Sequence, residues 1–257
     1  MIPAFPAAPP PRAGACSATE WQARVDLAAL YRLVALHGWD DMIFTHISAR
    51  IPGADHHFLI NPYGVFFEEM TASALVKIDL DGRVIEGDGL INPAGFTIHS
   101  AVHAARPEAR FVMHLHSRSG VAVACQADGL LPLSQHALII LPRLAYHDYE
   151  GIALDLSERE RLVADLGDRV AMILRNHGTL AVGATAAECW LNMYYLEQAC
   201  DQQVRALSAG RDGLLLAPDA ARAAVRAQVA RGREKLASLA WPGALRRLDR
   251  RLPGYDA

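Results

Sequence analysis

Two segments carry the residues best suited to chemistry. His114-Leu115-His116 closes the apolar stretch Phe111-Val112-Met113. Further along the chain runs Met172-Ile173-Leu174-Arg175-Asn176-His177-Gly178. Side chains alternate along a strand, so an H-x-H at a strand end presents two imidazoles on one face. A third imidazole arriving on another strand or turn completes a three-histidine metal site with open coordination positions. Such a centre activates a bound substrate or water, and the chain reads as a metal-dependent catalyst. With eleven histidines in 257 residues, an H-x-H can also arise incidentally. The neighbours of His177 weigh against that, because Asn and Gly on either side suit a tight backbone turn at a strand end.

The elements that must position these histidines follow from periodicity and punctuation. Residues 20–37 have helical spacing, with Val25, Ala28, Ala29, Leu33 and Leu36 on one side and Gly38 as a C-cap. Residues 42–50 and 57–61 read as strands. A short helix is predicted over 71–75, with Thr71 as N-cap. Asp81-Gly82 marks a hairpin between 76–80 and 83–86. A helix over 96–105 stops at Arg106-Pro107, the metal-bearing strand covers 111–116, and 120–126 is helical. The apolar run 137–141 reads as a strand. A helix from Ser157 to about residue 166, buried strands at 171–174 and 180–183, and a long helix capped by Thr185 come next. A helical tail over 219–248 ends the pattern. Hairpins mixed with crossover helices predict a three-layer α/β/α domain with a mixed, largely antiparallel central sheet.

The predicted organisation is a flexible tail over 1–17, one domain over 18–215 and a helical extension over 216–257. Hydrophobic content of 52% and charged content of 21% are those of a globular protein. A net charge of −3 leaves no basic surplus for nucleic acid. Arg246, Arg247, Arg250 and Arg251 fall at helical spacing, as on a solvated face. No apolar run approaches the ~18 residues a membrane span needs. The four cysteines show no paired spacing and read as free thiols of a reducing cytoplasm. The Pro- and Ala-rich start lacks a secretory h-region. Nucleotide-binding glycine loops are absent.

Six segments now stand in a fixed order: Thr45-His46-Ile47-Ser48-Ala49-Arg50, Asn61-Pro62-Tyr63-Gly64, Asn92-Pro93-Ala94-Gly95-Phe96, His114-Leu115-His116-Ser117, Asn176-His177-Gly178 and Leu196-Glu197-Gln198-Ala199-Cys200. Together they resemble the class II aldolase/adducin family, over roughly residues 21–210, in an adducin-like bacterial form. The resemblance implies the α/β/α fold and a divalent metal held by His114, His116 and His177. Zn²⁺ is the first expectation, with Mn²⁺ and Fe²⁺ as alternatives. It also implies a cyclic homo-oligomer, with a tetramer favoured and active sites near subunit interfaces.

Departures from the family pattern bear on the substrate. The sugar-phosphate aldolases of this family carry a Ser-Ser-Glu segment, with the Glu as catalytic base and the serines helping to hold phosphate. Here the matching residues are Pro93, Ala94 and Gly95. Their Gly-Asn pair has its Asn matched by His46. A phosphorylated substrate and a Glu-dependent aldol step are therefore disfavoured. The expected activity is a metal-dependent lyase that cleaves a C–C bond, by decarboxylation or retro-aldol cleavage. Its substrate is a small non-phosphorylated oxo- or hydroxy-carboxylate, and the bond breaks through a metal-stabilised enolate.

His46 is the acid/base candidate, since imidazole titrates near working pH. Tyr149 is a proton donor reaching across an interface, and Tyr63, Gly64, Pro93, Ala94 and Gly95 are expected to line the substrate site. His99 and His103, four apart on a helix, can meet, although packing accounts for them equally well. Glu69 and Lys77 are assigned to structure. Two other activities fit the same scaffold: a non-haem Fe(II) oxygenase, because imidazole also suits Fe²⁺, and a non-enzymatic adducin-like binding module.

Overall fold

The computed structural model describes residues 16–53, 56–152, 155–229 and 233–257. The tail expected over 1–17 therefore lies outside the described residues as far as residue 15. Ser17 caps the start of the first helix, its hydroxyl accepting from the Glu20 amide at 3.2 Å.

Eight strands form one sheet in the order β4-β3-β2-β1-β5-β8-β7-β6. In chain order they are β1 (His46–Arg50), β2 (Phe58–Ile60), β3 (Val76–Ile78), β4 (Val84–Glu86), β5 (Phe111–Leu115), β6 (Leu144–His147), β7 (Ala171–Leu174) and β8 (Gly178–Gly183). Only β6 and β7 run parallel, and every other neighbouring pair is antiparallel. The helices are α1 (Ala18–His37), α2 (Pro93–Ala105), α3 (Arg118–Ala124), α4 (Gln135–Ile140), α5 (Glu158–Leu166), α6 (Ala186–Leu207), α7 (Asp219–Val229) and α8 (Arg233–Arg251). Helices α2 and α5 pack together on one side of the sheet. Helices α1, α3, α4, α6 and α8 form the layer on the other. The fold is the expected α/β/α arrangement with a mixed, largely antiparallel sheet.

The centre of the sheet is dry because β5, β7 and β8 are buried on both faces. Tyr31 of α1 pins the strands next to it. Its fully buried hydroxyl is bonded to the Ile47 carbonyl and to Asn61 Oδ1 at 2.7 Å, and receives the Ile47 amide at 2.8 Å. One helix residue thereby fixes β1 beside His46. Helix α8 packs on α1 and α6, with Leu248 and Tyr255 in the main core. The last residues are tied down by backbone bonds from Ala72 to Tyr255 and from Ser73 to Ala257.

Four local expectations differ. The apolar run 137–141 is helical, because Ser134 caps the Ala137 amide and starts a turn; a short apolar run alone does not separate buried helix from buried strand. Residues 71–75 form a hydrogen-bonded turn rather than a helix, with Thr71 Oγ1 accepting from the Ala74 amide. The strand expected from residue 42 begins only at His46, since Met42 turns the backbone with φ of 50°. Strand β6 was not anticipated. It is an edge strand of four residues leading directly to Tyr149.

Candidate metal centre

One strand and one turn deliver the histidines. His114 lies in β5, paired in register with His46 of β1, and His116 is the first residue after that strand. His177 sits in the turn joining β7 to β8. That turn needs both of its neighbours. Asn176 adopts φ of 56°, a left-handed conformation that Asn tolerates better than most residues. A Cβ on Gly178 would run into the Leu115 carbonyl and come within 3.1 Å of His116 Cδ2. The absence of a side chain there lets the turn close onto the end of β5.

The result is a cluster in which one ligand atom from each of His114, His116 and His177 lies within 4.8 Å of the others. Nε2 of His114 and Nε2 of His116 are 3.0 Å apart. The opposite ring nitrogens explain the facing atoms. Nδ1 of His114 donates to the Thr179 carbonyl at 3.0 Å, which can only accept. Nδ1 of His116 meets Asp41 Oδ2 at 3.0 Å. In the neutral rings these bonds leave both Nε2 atoms as lone pairs. Two lone pairs converging at such a distance require a cation or a shared proton between them. Burial, then the neighbouring His177, keep the His114 ring well below the usual histidine range. Burial and the neighbouring His116 and His147 lower His177 to about 4. Burial makes a proton on His114 costly, and the three-imidazole donor set fits a divalent ion. Orientation of a ligand imidazole by a carbonyl or carboxylate is the usual support of such centres.

The cluster opens into a cavity of about 410 Å³. Beyond the three histidines, Asp41, His46, Tyr63, Ala94, Tyr149 and Ile152 are among its walls. Of the residues expected to bind substrate, Tyr63 and Ala94 line it, whereas Gly64, Pro93 and Gly95 do not. Pro93 is the first residue of α2, and Gly95 lies against the His46 ring. Tyr149 reaches the cavity of its own chain, with ring centroid 6.3 Å from His177. His136 lies away from this cavity, beside Gln202 and Tyr195.

Sequence reasoning missed two residues of the site. Asp41 follows the Gly38 cap, and nothing in its spacing signals a partner 75 positions away. Glu197 was noted only as part of a motif. It is buried in α6, accepts from the Thr179 hydroxyl at 2.6 Å and from the Ser117 hydroxyl, and so braces the residue next to His116 and the residue whose carbonyl meets His114. Burial pushes its carboxyl up, opposed by those two hydrogen bonds.

A sheet of this topology, with three histidines gathered at the ends of β5 and β7 that could hold a metal ion, defines an α/β/α protein of the aldolase type. The model of the Class II Aldolase and Adducin N-terminal domain matches residues 25–204, and the chain belongs to that family. It is 71% identical over 243 residues to a Caulobacter vibrioides protein provisionally named a class 2 aldolase protein, covering 94% of this chain and 95% of that one. It is 43% identical over 199 residues to α-adducin of Rattus norvegicus, covering 75% of this chain and 27% of the adducin. Among solved structures, an aldolase II superfamily protein from Pseudomonas syringae matches with a TM-score of 0.90 and 51% identity, covering 94% of this chain and 98% of that one.

Proposed function

We propose that the protein is a metal-dependent lyase acting on a small, non-phosphorylated oxo- or hydroxy-carboxylate, by decarboxylation or retro-aldol cleavage. The observation that carries this reading is the pair of Nε2 lone pairs converging beside a pocket that also holds His177, His46 and Tyr149. His114, His116 and His177 would hold the ion, with Zn²⁺ first and Mn²⁺ or Fe²⁺ as alternatives. When bound, a divalent ion supplies a Lewis acid for a carbonyl or hydroxyl oxygen.

The chain's own groups supply the rest. Breaking the C–C bond leaves an electron pair beside the substrate carbonyl, and a proton must return to that carbon. His46 is the proton-transfer group next to the metal ligands, its ring centroid 5.0 Å from that of His114. Tyr149 is the second proton donor. Tyr63 and Ala94 shape the substrate wall. No Lys or Arg lines the cavity among the described residues, which favours a substrate without a phosphate group. Exposed apolar Phe44, Tyr149 and Ile152 at the cavity support an assembly of identical subunits, a tetramer first, that covers this rim. Among the described residues no helix is long and apolar enough to cross a membrane.

The test is metal content of the protein purified without chelator, followed by a screen of oxo- and hydroxy-acids for CO₂ or aldehyde release. About one ion per chain, lost in His114→Ala/His116→Ala, together with turnover that falls in Tyr149→Phe, is the expected result. Fe²⁺-dependent oxygen consumption would replace the lyase with an oxygenase. Failure to bind any divalent ion would leave a binding module, a reading that has its footing in the similarity to α-adducin.

A further inference from the structure

The cavity beside the three histidines has two kinds of wall. One is the histidine cluster with its polar neighbours. The other is apolar and comes from two separate segments. Ala94 and Ile98 stand four apart on α2 and share a face. Phe44 belongs to the segment that leads into β1. Asn92 ties the two segments together. Its Oδ1 accepts from the Ala94 amide at 3.1 Å, and its Nδ2 donates to the Phe44 carbonyl at 3.3 Å. Ile98 is 1% exposed and Phe44 44%, whereas Ile152 is 73% exposed and stands at the rim.

Several polar side chains of this cavity are already engaged within the chain. Asn92 uses both ends of its amide in the two bonds just given. Asp41 meets the His116 ring. Nδ1 of His46 meets Nε2 of His99 at 2.8 Å. That bond opens a row that runs from Nδ1 of His99 to Oγ of Ser48, and from that oxygen to Nε2 of His103 at 2.7 Å. Among the described residues of the wall, Tyr63 and Tyr149 are the polar side chains left besides the three histidines. A chain of several hydroxyls entering here would exchange water for few partners, at a cost for each group left unpaired. An alkyl or aryl chain would cover Phe44, Ala94 and Ile98 and gain with every carbon taken out of water. The volume of about 410 Å³ lies at the lower end of the range of about 300–1,000 Å³ for small-molecule sites. It has room for such a chain beside a small head group at the histidines.

We infer that the substrate carries an alkyl or aryl side chain seated against Phe44, Ala94 and Ile98, and not a polyhydroxylated carbon chain. This rests on the reading of the cavity as the site of a metal-dependent lyase. It narrows the substrate class to oxo- or hydroxy-carboxylates with an apolar substituent. Phe44 and Ile98 are the specificity-determining residues. Ala94 keeps the wall open, since a larger side chain at the start of α2 would take up the space between them.

The experiment is calorimetric titration of Zn²⁺-loaded protein, with the loading measured beforehand. The probes are hydroxamates, which chelate a metal ion through two oxygens and have no carboxylate to lose. Acetohydroxamate, butyrohydroxamate and hexanohydroxamate lengthen an apolar chain, and erythronohydroxamate carries hydroxyls on a chain as long as that of butyrohydroxamate. The expected result is a gain of about fourfold in affinity per added methylene, with erythronohydroxamate weaker than butyrohydroxamate. Phe44→Ser, at a partly exposed position, should shrink the ratio between hexano- and acetohydroxamate, and Ile98→Asn should do the same if it folds. A flat series, a hydroxylated chain bound as tightly as the alkyl one, or an unchanged ratio in Phe44→Ser overturns the inference. A protein that holds no ion would remove the lyase reading instead. The wall is then read in metal-free protein by saturation-transfer NMR with hexanol against erythritol. Hexanol contacts that vanish in Phe44→Ser uphold the apolar ligand class, and no contact with hexanol overturns it.

Discussion

A Cβ built on Gly95 would stand 2.6 Å from Cδ2 of His46, closer than any real contact allows. The two positions therefore depend on each other: the imidazole occupies the space in which residue 95 would otherwise project a side chain. The resemblance sets Gly95 against the Glu of the sugar-phosphate aldolases, and in this chain the His46 ring fills the space beside residue 95. Gly95→Ala is expected to displace His46 and to destabilise the protein by about 1–3 kcal/mol, the usual range for overpacking a filled core. Urea midpoints at constant m-value check the energy, and the His46 resonances check the displacement.

Asp41 governs the His116 ring from outside the ligand set. Its carboxylate oxygen is 3.0 Å from Nδ1. Asp41→Ala should leave the fold intact, because the side chain is partly exposed, and should weaken Zn²⁺ binding by about 10–100-fold, as loss of such outer partners does. Competition titration against a chromophoric chelator measures it. Unchanged affinity would mean that the ring is oriented by packing alone.

Tyr31→Phe tests the pin between α1 and the sheet. The variant leaves the Ile47 amide and Asn61 Oδ1 without their buried partner. A loss of about 1–3 kcal/mol is expected for such orphaned groups. Because β1 also carries His46 and Ser48, faster amide exchange should appear along residues 46–50.

Stability should fall steeply in acid. His103 keeps its neutral form down to about 3, through burial first and the nearby Arg50 second, while an unfolded histidine titrates near pH 6.5. The lowered pKa means that the full contribution is present above about 6.5 and is lost as pH falls toward the folded value. Over that window the unfolded chain binds a proton that the folded chain refuses, costing about 1.4 kcal/mol per pH unit for each such ring. Urea midpoints of metal-free protein between about pH 7 and 5 should drop, and His103→Leu should flatten the slope by about one proton. An equal slope in both proteins would show that His103 is not held neutral.

Elements that obey a single period or a strong punctuation mark were legible from residue order alone. Gly38 ends α1, Asp81-Gly82 turns β3 into β4, Thr185 starts α6, and the alternation in β5 puts His114 and His116 on one side. Asn176 and Gly178 announced the turn that carries His177, because their backbone needs are local. The resemblance of six ordered segments fixed the family and the layered fold. What depended on contacts between distant segments was decided only in three dimensions. Asp41 is 75 positions from His116 and Glu197 is 80 from Ser117, and no local period links either pair. The helical state of 135–140 and the presence of β6 were set by neighbours that an apolar run does not name. His99 and His103 looked like ordinary helix packing until β1, with its period of two, was laid against α2, with its period of 3.6. Only that crossing of periods joins four unremarkable residues into one hydrogen-bonded row ending at the candidate site.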